Sequence, residues 1–223
     1  MNSGEVCEDI MPVVGVASTV LFPGMTCTLL LGTLRAYGAV REAHRTIGPA
    51  HVAVCSVPDR EADPTHEGPA PLCPTGVLAR VFRLRQHETG LWIADFRAQA
   101  RVHVTQFLRE HPFRLARVKE AFDESEETAS LEALVDLARE RLCQLKRQSP
   151  ACSMAAEVLA ALVAAQHLHA RIAALMGCLT LLPLAERQAA LESNRVSARL
   201  ECVLNTLEAR LDPLARPAGP RPS

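Results

Sequence analysis

The residues able to do chemistry are few, and their spacing fits no reaction. His66-Glu67 and His87-Glu88 each begin like the ligand-and-base pair of a zinc hydrolase, which needs a second His one helical turn further on. In His66-Glu67-Gly68-Pro69-Ala70 that His is missing, and Gly-Pro forbids the helix that would align it. His167 and His169 stand two apart in a helical stretch, so they point about 200° apart and share no metal. No Gly-x-Ser-x-Gly elbow occurs. A Ser-Lys dyad would have to use Lys119 or Lys146, the only lysines, and neither lies in an apolar run that would depress its pKa. Neither lysine follows a glycine, and no two of the 11 glycines lie within three positions of each other, so a phosphate-cradling loop is excluded. The eight cysteines (7, 27, 55, 73, 143, 152, 178 and 202) include no Cys-x-x-Cys pair. Cys55 and Cys178 lie in apolar runs and read as small core residues. The expectation is a non-enzyme with no catalytic residue, cofactor or metal.

What remains is binding. Leu21-Phe22-Pro23-Gly24-Met25 is the most distinctive local feature. A turn displaying Phe22 and Met25 would offer an adaptable apolar contact to unfolded chains. In the competing arrangement Phe22 fills the core while Pro23-Gly24 make a type II turn. Trp92, the only tryptophan, alternates with Ile93 on an expected strand and lines either a groove or the core. Phe22, Pro23, Met25 and Trp92 are therefore the candidate peptide-binding residues. Nine cations crowd positions 78–119 against only Glu88, Asp95 and Glu110. Among them, Arg80, Arg83 and Arg85 form the alternative, nucleic-acid face. Strict alternation would scatter these arginines over both faces of a sheet, and Glu120, Asp123, Glu124, Glu126 and Glu127 follow at once to offset the charge.

The whole chain agrees with this economy. Its 223 residues suit one large domain or two small ones, and 48% hydrophobic content supports a core without staples. A net charge of −1 gives no global field toward nucleic acid or anionic lipid, and 4% aromatic content disfavours base-stacking platforms. Glu5, Glu8 and Asp9 stand where a signal peptide carries positive charge, and the apolar stretch 151–185 is broken by Glu157, His167, His169, Arg171 and Pro183. A cytoplasmic protein with reduced thiols and no membrane span is expected.

The elements change character along the chain. Period-2 patterns and turn residues place strands at Val13–Val16, Cys27–Leu31, Val52–Val57, Gly76–Leu84, Leu91–Phe96, Arg101–Phe107 and Phe113–Phe122. Glu88-Thr89-Gly90 reads as a hairpin connection. One helix, capped by Thr33, interrupts this half and stops at Gly48-Pro49. Residues 58–75, with five prolines, read as a long loop. Beyond the acidic stretch the period becomes 3.6, with helices opening at Ser130, over Ala155–Ala165, over 169–181, and from a Ser193-Asn194 cap onward. The expected organisation is α+β: a β-rich part at 11–122, a helical part at 128–211, and a disordered Pro-rich tail at 212–223.

Several of these segments, in order, resemble one family. Met11-Pro12-Val13-Val14, then Val20-Leu21-Phe22-Pro23-Gly24-Met25, then Leu30-Leu31-Gly32 are similar to the opening of the Lon protease N-terminal domain. Gly76-Val77-Leu78-Ala79-Arg80-Val81 and Pro112-Phe113-Arg114-Leu115-Ala116-Arg117-Val118 resemble two of its later strands, and Ala189 to Leu207 its exit helix. Gly15-Val16, Thr33 and Ile93-Ala94-Asp95 depart from its usual pattern. The resemblance implies a small PUA-like β-barrel with one helix, then a helical bundle, without the family's ATPase and Ser-Lys peptidase. It implies a module that binds unfolded or extended polypeptide as adaptor or regulator of proteolysis, with a complete protease as a further partner and a monomer or weak homodimer as its state. An RNA-binding PUA-like protein, and a regulatory subunit docking on one folded partner through the 194–211 helix, are the alternatives.

Overall fold

Alternating apolar and polar side chains build six strands: β1 (Asp9–Val16), β2 (Thr26–Leu31), β3 (His51–Ser56), β4 (Thr75–Gln86), β5 (Trp92–Arg109) and β6 (Arg114–Glu120). Helix α1 (Leu34–Arg45) sits between β2 and β3. This is a computed structural model, and it describes residues 8–17, 19–45, 48–58 and 71–215. The expected loop at 58–75 falls largely outside them, as does His66, while 71–74 are coil.

The strands form one sheet in the order β2-β5-β4-β3-β1-β6, and β6 also pairs with β5. The ladder therefore runs β5–β4–β3–β1–β6 and returns to β5, with β2 attached to β5 alone. Only the β1–β3 pair is parallel. The strands expected at Leu91–Phe96 and Arg101–Phe107 are halves of one 18-residue strand. Its first half pairs with β2 and its second with β6, while β4 spans both. Ala98-Gln99-Ala100 has little intrinsic strand preference, and long-range pairing, with β4 on one side and with Gly24 and Met25 on the other, overrides it. Bulges in the β4–β5 and β5–β6 ladders supply the bend that a strand shared by three partners needs.

Val13, Ala53, Cys55, Val102, Ala116 and Val118 gather into a core between β1, β3, β5 and β6. At Gly76 the sheet requires glycine, because an added Cβ would lie 2.3 Å from the Val54 carbonyl oxygen and 2.7 Å from Cys55 Sγ. Helix α1 begins where expected, with the Ala36 N–H donating to Thr33 Oγ1 at 3.1 Å. It buries Ala36, Ala39, Val40 and Ala43. The β4–β5 connection is also the expected one. Gly90 takes φ +82, and the His87 N–H donates to Leu91 O at 2.7 Å.

The remaining helices are α2 (Thr128–Gln148), α3 (Ser153–Ala164), α4 (Leu168–Leu175), α5 (Leu184–Glu192) and α6 (Val196–Ala215), with a 3-10 turn over Met176–Leu181 after α4. The chain divides into two compact units, Met1–Phe122 with Leu184–Glu192 and Asp123–Pro183 with Ser193–Ser223. Helix α5 is thus part of the β-rich unit. Arg101, 3% exposed, ties it there by donating to the Leu191 and Phe122 carbonyls at 3.0 and 3.1 Å. Gln188 accepts from Ser56 Oγ at 2.6 Å and donates to the Thr75 carbonyl at 3.0 Å.

In the second unit α2 packs on α6. Leu131, Val135, Ala138, Leu142 and Leu145 are buried on one, and Leu200, Val203, Leu204, Leu207 and Leu211 on the other. The α6 face considered for partner docking is therefore used inside its own unit. The cap of α6 is not Ser193-Asn194. Glu126, seventy positions earlier, accepts from the Val196 and Ser197 N–H groups at 2.5 and 3.1 Å, a full carboxylate replacing a weaker neutral cap. Residues 212–215 continue α6, where a disordered tail was expected; 216–223 lie outside the described residues. No helix among the described residues is long and apolar enough to cross a membrane.

Candidate functional site

The Phe22–Met25 segment makes a tight turn. Gly24 takes φ +87, a conformation open to glycine, after a proline whose ring presets the preceding residue. The Met25 N–H donates to Phe22 O at 3.1 Å, and the Phe22 N–H points at the Met25 sulfur at 3.3 Å. Gly24 and Ala98 then stitch the turn to β5, through Gly24 N–H to Ala98 O and Ala98 N–H to Met25 O, both 2.9 Å. Phe22 is 1% exposed, so its ring belongs to the core. Pro23 and Met25 remain half-buried at the surface. Trp92 is half-buried and stacks on Tyr37 of α1 with ring centroids 4.7 Å apart. Its ring is therefore occupied, and the turn and the tryptophan do not form one apolar site.

The arginines are arranged otherwise than strict alternation implies. A register shift between Val81 and Arg83 inserts Phe82 as an extra residue in β4. Arg80 then faces Arg97 across the ladder, Arg83 faces Asp95, and Arg85 faces Ile93. Directly opposed residues share a face, and so do residues two apart on β5. The bulge thus brings Arg80, Arg83 and Arg85 to one side of the sheet together with Arg97, and all four are exposed. On β2 the same rows end in Thr26, Thr28 and Leu30.

Asp95 sits in the middle of this face, 7% exposed. Thr28 Oγ1 donates to it at 2.7 Å and Arg85 Nη1 at 2.6 Å. The Thr28 hydrogen bond, with the neighbouring Arg85 and Arg83 charges, holds its carboxyl below the usual carboxylate range against the opposing effect of burial. Arg85 is therefore engaged. Arg114 pairs with Glu110 at 2.8 Å and Arg109 lies 4.3 Å from the Phe113 ring centre. Neither Arg80 nor Arg97 makes an ion pair or side-chain hydrogen bond among the described residues. Sequence reasoning missed Asp95 and Arg97 as parts of this face, because only the β2–β5–β4 register and the Phe82 bulge bring them into it.

The other candidates stay apart. His87 closes the hairpin tip by contacting Thr89, His167 precedes α4, and His169 lies within it. Among the described residues no group of three His, Cys, Asp or Glu side chains is placed to hold a metal ion. Lys119 is exposed in β6, one residue before its end, and Lys146 donates to the Pro150 carbonyl. Burial pushes the Cys55 and Cys178 thiols up to about 12, which suits core residues rather than nucleophiles. A surface depression of about 480 Å³ lies along one side of α2 at Asp136–Cys143, and none of the candidate residues lines it.

Comparison with known proteins places these features in a family. The family model described as the ATP-dependent protease La (LON) substrate-binding domain matches residues 10–209. Lon protease 2 of Myxococcus xanthus is 28% identical over 206 residues, 90% of this chain and 24% of its own length. A Lon protease of Methylocella silvestris is 29% identical over 211 residues, 93% of this chain and 25% of its own. The chain spans about a quarter of the length of these relatives. The N-terminal domain of Mycobacterium avium complex Lon protease superposes with a TM-score of 0.68 at 20% identity, covering 90% of this chain and 98% of that one. The Lon N-terminal domain protein from Xanthomonas campestris gives 0.54 at 19% identity, covering 88% and 98%. The expected barrel-then-bundle layout appears here as a mixed α+β fold, with six strands and six helices among the described residues, and the fold is that of those domains. With the model match covering most of its length, the chain belongs to the Lon substrate-binding domain family.

Proposed function

We propose that this chain is a non-catalytic polypeptide-recognition module, built on a small PUA-like barrel formed by the returning β5–β4–β3–β1–β6 ladder, and that it acts as an adaptor or regulator of proteolysis. The observation that carries this reading is the free edge of β2. Every other strand of the sheet has at least two partners, whereas β2 has β5 alone among the described residues. A free edge hydrogen-bonds an extended main chain whatever its sequence, which is what a binder of unfolded protein needs. Half-buried Met25 stands at the start of that edge, and its pliant side chain adds apolar contact. Pairing along one six-residue edge makes each contact weak, at micromolar affinity or worse, on the order of −8 kcal/mol.

Fluorescence anisotropy against an unfolded casein-like peptide and a short single-stranded RNA, at low and at physiological salt, tests it. The reading predicts peptide binding that survives physiological salt and no RNA signal. RNA binding that collapses with salt, without peptide binding, contradicts it.

A further inference from the structure

Building on the recognition reading, the geometry points to a rule for which extended segments bind. Three rows run across the exposed face at the β2 edge, each two residues from the next. The first is Thr26–Arg97–Arg80, the second Thr28–Asp95–Arg83 and the third Leu30–Ile93–Arg85. Their chemistry differs along the strand. The first row is cationic and unneutralised: Arg80 and Arg97 are directly opposed like charges, an arrangement that costs stability in a sheet. On the far side of Arg80 the same row continues into His51, whose Nε2 is buried without a hydrogen-bond partner among the described residues. The second and third rows share one carboxylate: Asp95 lies opposite Arg83 and takes the Thr28 hydroxyl together with the Arg85 guanidinium of the third row. The third presents Leu30, 58% exposed, beside half-buried Ile93.

We propose that β2 accepts, as a seventh strand, an extended peptide that carries an apolar side chain against Leu30 and an Asp or Glu four positions away against Arg97 and Arg80, with a small polar residue between them. A strand added at β2 lies about 10 Å from β5, two strand spacings away. Thr26 is short, so it leaves the Arg97 guanidinium free to reach across to a carboxylate at that distance. The rows are about 7 Å apart, which matches alternate residues of the incoming strand. Polypeptide fits this face better than RNA for two reasons. Asp95 lies opposite Arg83 and takes the Arg85 guanidinium, so it interrupts the arginines at the centre of the face and leaves no continuous cationic track for a phosphate chain. The Trp92 and Tyr37 rings are stacked on each other on the opposite side of β5, so this face offers bases no aromatic platform.

The test uses three labelled peptides of equal length: a Leu-x-Thr-x-Glu pattern, the same peptide with Gln for Glu, and the same with Lys for Glu. They are measured against the wild type, Arg97→Gln and Arg97→Glu, with thermal melts to confirm folding, and a single-stranded RNA serves as competitor. The wild type should bind the Glu peptide about fivefold more tightly than the Gln peptide, the worth of a partly exposed charge pair. Arg97→Gln should level the two, and Arg97→Glu should favour the Lys peptide. Equal wild-type affinity for the Glu and Gln peptides overturns the carboxylate rule while leaving polypeptide recognition in place. Displacement of the Glu peptide by tighter-binding RNA assigns the face to nucleic acid and overturns the rule. Absence of binding by all three peptides overturns both the rule and the recognition reading. If Arg97→Glu fails to fold, the levelling by Arg97→Gln alone decides.

Discussion

Phe22→Ala separates a structural from a binding role for the turn at residues 22–25. Phe22 is 1% exposed, so truncation removes a fully buried aromatic ring and leaves its volume to be refilled. Such a change costs about 3–5 kcal/mol, against about 5–15 kcal/mol of total stability for an ordinary protein. For a chain of this size each kcal/mol moves the melting midpoint by about 2–4 °C, so a drop on the order of 6–20 °C follows. Trp92 is a suitable reporter, since it is the only tryptophan and stacks on Tyr37 within the same unit. Tryptophan fluorescence melts of wild type, Phe22→Ala and Met25→Ala measure the effect. The account predicts a large loss for Phe22→Ala and, because Met25 is only half-buried, a smaller one for Met25→Ala. An unchanged midpoint for Phe22→Ala combined with lost peptide binding would refute the placement of its ring in the core.

Three further outcomes follow. Gly76→Ala drives a Cβ to 2.3 Å from the Val54 carbonyl oxygen, so β3 and β4 must separate; a loss of about 3 kcal/mol or failure to fold is expected in urea melts, and wild-type stability would contradict the register there. The Asp95 carboxyl is held below its unfolded value by Thr28, Arg85 and Arg83, so its stabilisation is complete above the unfolded carboxylate pKa of about 3.9 and is lost as pH falls through the lower folded value. The gap in melting temperature between wild type and Asp95→Asn should hold from neutral pH to about 4 and shrink below it, and a gap that persists at more acid pH would disprove the pairing. Native thiol labelling followed by peptide mass mapping should modify exposed Cys143 while Cys55 and Cys178, buried and with thiols raised to about 12, react only after unfolding.

Features that depend on neighbouring residues were legible in the sequence, and features that depend on long-range pairing were not. Thr33 ahead of an apolar stripe, Glu88-Thr89-Gly90 between two alternating runs, and the 3.6-residue stripe from Leu131 to Leu145 each carry their structure locally, and each appears where it was expected. Strand β5 did not, because Ala98-Gln99-Ala100 is strand through its ladder with β4 and the main-chain bonds of Ala98 to Gly24 and Met25. The true cap of α6 lies seventy positions away at Glu126, and α5 joins the β-rich unit through Arg101 and Gln188. At the candidate site the arginines were visible as a cluster, but their common face was not. One inserted residue, Phe82, reverses the phase of Arg83 and Arg85 relative to Arg80, and no local signal marks that bulge. Asp95 likewise reads as a lone acid among bases until the β2 register sets Thr28 against it.

The most direct test of the central claim is amide hydrogen exchange, read residue by residue, with and without a saturating unfolded polypeptide. Recognition through the free edge predicts new protection concentrated on Thr26–Leu31, with little change across α2 and α6. Protection confined to the helical unit, or none on β2 at saturation, would contradict it.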